Sequence, residues 1–168
     1  PRRRCRADEP AADGEMGLMT GLPDLYLMRH GQTVWNAEGR LQGRMDSPLT
    51  ALGRHQARRQ AQLVQGIDAA RYASNAGRAV ETAGIVYGGR DFRQDARLHE
   101  IDIGEFTGRA WADLCAAHPE ITSGGWLDWY DHAQGGELFD GVEARARAFL
   151  ADIGGPALIV THGISQRM

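Results

Sequence analysis

The sequence predicts an α/β fold, a three-layer α/β/α sandwich with a mostly parallel central sheet. Short apolar runs alternate along the chain with longer segments of helical periodicity, which is the pattern of strands separated by crossover helices. The two most strand-like runs, residues 25–28 and 157–160, are apolar at consecutive positions, as in strands covered on both faces. We therefore expect both runs at the centre of the sheet.

The other elements follow from periodicity and from residues that begin or end helices. Helices are predicted at residues 50–66, 77–87, 110–117 and 142–153. Short strands are predicted at residues 72–73 and, at an edge of the sheet, at 92–95. Thr50 is expected to cap the first helix, whose larger apolar residues Leu52, Leu63 and Val64 are expected to face inward.

Composition excludes several classes of protein. The chain has 168 residues, and its 19 basic and 22 acidic residues give a formal charge of -3, which offers no general attraction for nucleic acid or an anionic membrane. Every basic residue is an arginine. The absence of lysine excludes Schiff-base chemistry and a phosphate loop that ends in Gly-Lys.

The domain organisation is simple. Residues 1–22 carry many charges and few large apolar groups, so we expect a flexible N-terminal extension, followed by one catalytic domain over residues 23–168. Cys5 and Cys115 lie far apart and fit neither a zinc motif nor a disulfide scaffold. Together with the lack of an apolar run long enough for a membrane span, this predicts a cytoplasmic protein.

Two histidines stand where the predicted central strands end. His30 is followed by Gly31, and His162 by Gly163. Ligands of open α/β folds bind beyond the carboxyl ends of the strands, where glycine lets the backbone turn sharply. If the two strands are neighbours, their imidazoles meet at one place.

The residues around this pair favour an anion over a metal ion. Imidazoles often bind metals, but Arg29 precedes the first histidine, and a permanently charged guanidinium suits a phosphate better than a neighbouring cation. Arg78 falls where a strand gives way to a helix and could serve the same anion. A carboxylate in the segment 98–105 is a candidate proton donor. We therefore predict no metal.

Ordered blocks of sequence carry a resemblance to the histidine phosphatase superfamily, which includes the cofactor-dependent phosphoglycerate mutases. The matching blocks are Leu27-Met28-Arg29-His30-Gly31-Gln32-Thr33-Val34-Trp35-Asn36, residues 39–50, residues 74–83 with Arg78, residues 98–108 with Glu100, and Gly135-Gly136-Glu137 followed by Val160-Thr161-His162-Gly163. The resemblance spans residues 24–163. That family usually continues through a further helix and strand, so the resemblance implies that C-terminal elements are missing or truncated.

The resemblance implies roles for individual residues. His30 resembles a nucleophile that forms a phosphohistidine, and Arg29, Arg78 and His162 resemble the groups that hold the phosphoryl oxygens. Glu100 resembles the acid that protonates the leaving group. Its rivals are Asp102 and Glu105. The residues expected to contact the substrate are Thr33, Asn36, Gln42, Gly43 and Gly163.

Three functions remain open on this basis. The first is a phosphatase that hydrolyses a phosphate monoester without a cofactor. The short chain favours it, because mutases of this type carry inserted segments for which there is no room. The second is a mutase, which would use 2,3-bisphosphoglycerate. The third is a non-catalytic protein that binds phosphorylated ligands. The expected partner is a small phosphorylated substrate, with no nucleic acid or membrane, and a homodimer is left open.

Overall fold

A computed structural model describes residues 23–125 and 127–167 of the chain. The extension predicted for residues 1–22 lies outside the described residues. The strands are Leu25–Arg29 (β1), Ala70–Ser74 (β2), Arg93–Asp95 (β3) and Ala157–Thr161 (β4). The α-helices are Val34–Ala37 (α1), Ala51–Leu63 (α2), Gly77–Val86 (α3), Trp111–Ala117 (α4), Pro119–Thr122 (α5) and Phe139–Ala151 (α6).

The strands form one sheet in the order β1-β4-β2-β3, and each neighbouring pair is parallel. The predicted α/β class is therefore confirmed. β4 lies between β1 and β2 and is buried along its whole length. The central position predicted for β1 is wrong for the described sheet, because β1 pairs only with β4 and Leu27 is 48% exposed. An apolar run indicates a strand, but it does not indicate whether that strand lies at the centre or at the edge of the sheet.

Helices cover both faces of the sheet. Leu158 and Val160 of β4 pack with Met28 and with the buried alanines of α2 and α3 on one face. On the other face, Ile159 packs against Phe149 of α6. Because successive side chains of a strand point to opposite faces, β4 contributes alternate residues to the two clusters. This arrangement is the predicted three-layer sandwich.

Small residues bring α2 close to the sheet. Thr50 caps the helix as predicted, since its side chain accepts a hydrogen bond from the Gly53 amide. The predicted inward face is wrong for Leu52 and Leu63, which are 51% and 80% exposed, whereas Val64 packs against the core cluster as predicted. The buried residues of the helix are Gly53 and Ala57. The close approach requires Gly53, because a Cβ there would lie 2.1 Å from the Gln32 carbonyl oxygen.

The same contact involves the residue after the first histidine. A Cβ added to Gly31 would lie 2.3 Å from the Gly53 carbonyl oxygen. The two backbones are therefore in direct contact, with no side chain between them. The turn that follows β1 rests on the first turn of α2.

A further apolar cluster is formed mainly by the segment that connects β3 to α6. Its buried members are Ile101, Ile103, Phe106, Leu114, Trp129, Val142 and Ile164. Trp129 is buried in this cluster and also lines the cavity described below. None of the helices in the described part of the chain combines the length and apolar character that a bilayer crossing requires.

Candidate active site

Adjacent parallel strands bring the two histidines together. Arg29 pairs with Thr161 in register, and the His30 amide donates a 3.0 Å hydrogen bond to the Thr161 carbonyl. His30 and His162 follow directly, and their ring centroids lie 5.2 Å apart. The predicted convergence of the imidazoles is confirmed. Both side chains are buried.

Hydrogen bonding assigns the tautomer of His30. Its Nδ1 lies 2.8 Å from the carbonyl oxygen of Gly31, which can only accept a hydrogen bond, so Nδ1 carries the proton. The lone pair is then on Nε2. The Arg78 Nε donates to this atom over 3.3 Å. His30 thus presents an unprotonated nitrogen next to a guanidinium.

Burial and positive charge keep this imidazole neutral. Burial lowers the pKa of His30 from 6.5 to about 4, and the positive charges of Arg78 and Arg29 act in the same direction. The hydrogen bond to Gly31 opposes them. A neutral imidazole is the form that can attack an electrophile, so His30 is ready to act as a nucleophile near neutral pH.

A prediction follows for the titration of His30. In NMR spectra, its imidazole resonances are expected to stay constant from pH 8 to 6 and to move only as the pH approaches about 4, because the pKa is lowered from 6.5 to about 4. The unfolded chain takes up this proton near pH 6.5, so the corresponding stability is complete above that value and is lost as the pH falls towards 4. A midpoint near 6.5 in the folded protein would contradict the assignment.

Arg78 is held by a loop of backbone carbonyls. The residue is 1% exposed. Its Nη1 donates to the carbonyl of Met45 and to the carboxylate of Asp46, and its Nη2 donates to the carbonyl of Gly43. Gly43 has a φ of +51°, and a Cβ there would lie 2.6 Å from the Ile103 side chain. The loop over residues 43–46 therefore fixes the guanidinium that faces His30.

His162 packs edge-on against His30, but it is fully buried and does not itself line the cavity. Its Nε2 lies 2.8 Å from the Ser74 hydroxyl, whereas its buried Nδ1 has no hydrogen-bond partner in the described structure. Burial, together with the charge of Arg78, lowers the pKa of His162 well below 6.5. The ring of His99 stacks on His162, with centroids 5.9 Å apart. A buried polar atom that lacks a partner in the protein is suited to a ligand oxygen.

Glu100 is the carboxylate that faces the cavity. Its Oε1 accepts hydrogen bonds from the amides of Ile101 and Ser165, and its Oε2 accepts one from the amide of Ile164. Oε2 thus accepts fewer hydrogen bonds from the protein than Oε1. The rivals lie elsewhere: Asp102 accepts from the Gly104 amide, and Glu105 is exposed. Neither contributes to the cavity wall.

The cavity has a volume of about 140 Å³, and both predicted catalytic residues and predicted contact residues line it. Arg29, His30, Arg78 and Glu100 line it, together with the predicted contact residues Asn36, Gln42 and Gly43. Arg29 is exposed at the mouth.

Two predicted contact residues lie behind the cavity wall. Thr33 is fully buried, caps α1 and bonds to the Gln42 side chain. Gly163 lies against the Arg29 guanidinium, which a Cβ would meet at 3.4 Å. Both residues support groups that reach the cavity.

Sequence reasoning missed the other residues that line the cavity, which are Arg40, Leu41, Ile101, Ile103, Trp129 and Tyr130. Asp46, which holds Arg78, had no signal at all beyond its place in a matching block. Within residues 23–125 and 127–167, no group of three or more His, Cys, Asp or Glu side chains is placed to hold a metal ion.

The fold and the site together define a class: a parallel α/β protein with paired histidines and an arginine around an anion-sized cavity at the strand ends. The comparison with known families agrees with it. The profile described as "Histidine phosphatase superfamily (branch 1)" matches residues 25–168. The chain belongs to the histidine phosphatase superfamily.

Among similar proteins, one is named as a mutase, one as a phosphatase, and one carries a name that states no activity. The curated "Probable phosphoglycerate mutase GpmB" of Enterobacter sp. is 37% identical over 155 residues, which cover 84% of this chain and 70% of that protein. A mycobacterial glucosyl-3-phosphoglycerate phosphatase, solved with VO3, is 32% identical with a TM-score of 0.75, over 84% of this chain and 77% of that one. YhfR of Bacillus stearothermophilus is 38% identical with a TM-score of 0.72, over 84% and 75%.

Proposed function

We propose that this protein hydrolyses a phosphate monoester through a phosphohistidine on His30. The observation that carries the proposal is the His30 Nε2 lone pair, which faces the Arg78 guanidinium beside the unpartnered Nδ1 of His162. Attack by Nε2 forms an N–P bond and breaks the bond between phosphorus and the ester oxygen. Fixed cations stabilise the charge that spreads over the phosphoryl oxygens.

Glu100 completes the reaction as a proton donor and acceptor. In its protonated form it gives its proton to the leaving alkoxide, and in the second step it takes a proton from the water that attacks the phosphohistidine. The products are an alcohol and inorganic phosphate, and Glu100 is again protonated. The amides of Ile101, Ile164 and Ser165 hold its carboxyl group in one orientation throughout.

A mutase is the second candidate, because similar proteins carry that name. A phosphoglycerate brings a carboxylate as well as a phosphate, and the carboxylate needs a cation of its own. Among the described arginines that line the cavity, Arg78 is bound by backbone carbonyls and Asp46, and Arg40 is bound by Glu38 and the Gly108 carbonyl. The third, Arg29, is assigned in this proposal to the phosphoryl oxygens. The other lining residues include Leu41, Ile103 and Tyr130, which carry no charge. These features favour an ester with an uncharged alcohol portion, and hence hydrolysis.

A trapping experiment tests the proposal. The protein is mixed briefly with an aryl phosphate labelled in its phosphoryl group, in the presence of a chelator, and is denatured without acid. We expect label on the peptide that contains His30, because a phosphohistidine survives these conditions, and we expect turnover to persist without a metal or other cofactor. A fully active protein that never carries label, or one that the chelator inactivates, would contradict the mechanism.

A panel of monoesters then separates the candidate reactions. Phosphate release with no isomerisation, with or without added 2,3-bisphosphoglycerate, is expected for the phosphatase. Isomerisation that depends on the bisphosphate would identify the mutase. Vanadate binding with neither reaction would leave only a phospho-ligand binding protein.

A further inference from the structure

A buried ion pair lies outside the cavity and has no place in the proposed chemistry. Glu137 belongs to the matching block Gly135-Gly136-Glu137, and Arg145 lies on α6. The Arg145 Nε and Nη2 bind the two carboxylate oxygens of Glu137 over 2.9 and 3.1 Å. Their side chains are 14% and 16% exposed. Neither residue lines the cavity.

The remaining nitrogen of Arg145 holds the segment that carries Glu100. Its Nη1 donates to the carbonyl oxygens of Arg97 and His99, each over 2.6 Å. On the far side of Glu100, the Glu137 amide donates to the Asp102 carbonyl over 2.9 Å. The Arg145 side chain and the backbone amide of Glu137 therefore hold the chain on the two sides of Glu100. Arg145 also fixes His99, whose ring stacks on His162.

The other side of Glu137 contacts the loop that holds Arg78. The Arg44 Nη2 lies 3.3 Å from a Glu137 carboxylate oxygen, and the Arg44 Nε lies 3.9 Å from Asp102. Arg44 stands between Gly43 and Met45, the two residues whose carbonyls bind the Arg78 guanidinium. One carboxylate thus joins two segments that are distant in the sequence.

We propose that Glu137 is a positioning residue that sets the Glu100 segment and the Arg78 loop at a fixed separation, through Arg145 on one side and Arg44 on the other. The inference rests on the proposed function, since it assigns to Glu137 the distance between the proton donor and the phosphoryl site. Displacements of about 1 Å in such a distance can slow a reaction about 100-fold. A buried bidentate pair is well suited to this task because its fork geometry tolerates little movement.

The test is the Glu137→Gln variant, assayed on an alkyl phosphate and on nitrophenyl phosphate. Arg145 loses its charged partner, so the Glu100 segment shifts, and the turnover of the alkyl ester is expected to fall about 10- to 100-fold. Nitrophenol leaves with little protonation, so turnover of that ester is expected to change much less. Glu137→Asp keeps the charge and is expected to restore part of the alkyl-ester activity.

Glu143→Gln is the matched control on the same protein. Glu143 forms an exposed ion pair with Arg147 on α6, and its substitution is expected to leave both activities unchanged. Equal losses of the two esters in Glu137→Gln, or activities equal to those of Glu143→Gln, would overturn the inference. A wild-type protein that hydrolyses neither ester would instead contradict the proposed function.

A second variant keeps the inference testable if Glu137→Gln does not fold. Arg44 is 46% exposed, and Arg44→Gln leaves the buried Glu137–Arg145 pair intact. This variant frees only the loop that holds Arg78 and leaves the Glu100 segment in place. Vanadate binding is therefore expected to weaken several-fold, while the ratio of alkyl-ester to nitrophenyl-ester turnover stays that of the wild type. Unchanged vanadate affinity in Arg44→Gln would refute the connection between Glu137 and the Arg78 loop.

Discussion

Replacing His30 by asparagine is expected to slow phosphate-ester turnover on the order of 10⁶-fold, the scale set by removing a covalent nucleophile. The asparagine amide can still donate to the Gly31 carbonyl, as Nδ1 of the imidazole does. It has no counterpart of Nε2, the atom that faces Arg78. The substitution therefore removes the attacking atom while the local hydrogen bond is kept.

Two measurements check this expectation. Steady-state rates are compared for His30→Asn and for His132→Asn, a control at an exposed position on the segment between α5 and α6. Vanadate binding to His30→Asn shows whether the anion pocket is still formed. A variant that binds vanadate and keeps more than a small fraction of the activity would exclude His30 as the nucleophile.

Replacing Glu100 by glutamine is expected to lower the turnover of alkyl phosphates by about 10² to 10⁴, the usual contribution of general acid catalysis. Glutamine retains the shape of the side chain and an oxygen that can accept from the amides of Ile101 and Ser165. It cannot supply the proton that an alkoxide needs. Nitrophenyl phosphate needs little protonation, so its turnover is expected to fall far less.

The control is Glu105→Gln, which makes the same chemical change at an exposed carboxylate five positions further on. It is expected to behave as the wild type on both esters. A uniform loss on alkyl and aryl esters in Glu100→Gln would assign the carboxylate to binding. A loss in Glu105→Gln that depends on the leaving group would move the acid to that residue.

The centre of the site could be predicted because strand geometry alone brings it together. His30 and His162 each follow an apolar run, and parallel neighbours in register place such residues side by side. The choice of Glu100 over Asp102 and Glu105 came from the resemblance to the family. The structure now supplies a physical reason for that choice, since only Glu100 lines the cavity.

The supporting residues could not be predicted, because their partners are distant in the sequence. Glu137 and Asp46 look like ordinary surface carboxylates until the fold places them against Arg145 and Arg78. The prediction for the inward face of α2 failed at Leu63 for a related reason. The sequence suggested that the larger apolar residue would be buried, but the helix lies so close to its neighbours that the small Ala57 is buried instead. The space between packed elements is a property of the folded chain.

The direct contact between the backbones of Gly31 and Gly53 shows which positions of this fold tolerate substitution and which do not. The turn that carries His30 is placed by contacts between peptide groups, so its position does not depend on cavity residues such as Leu41 and Tyr130. An engineer could exchange Leu41 or Tyr130 for other residues to change the lining of the cavity and leave the turn that carries His30 in place. Positions 31 and 53 allow no such freedom, because even one added methyl group would force the two segments apart.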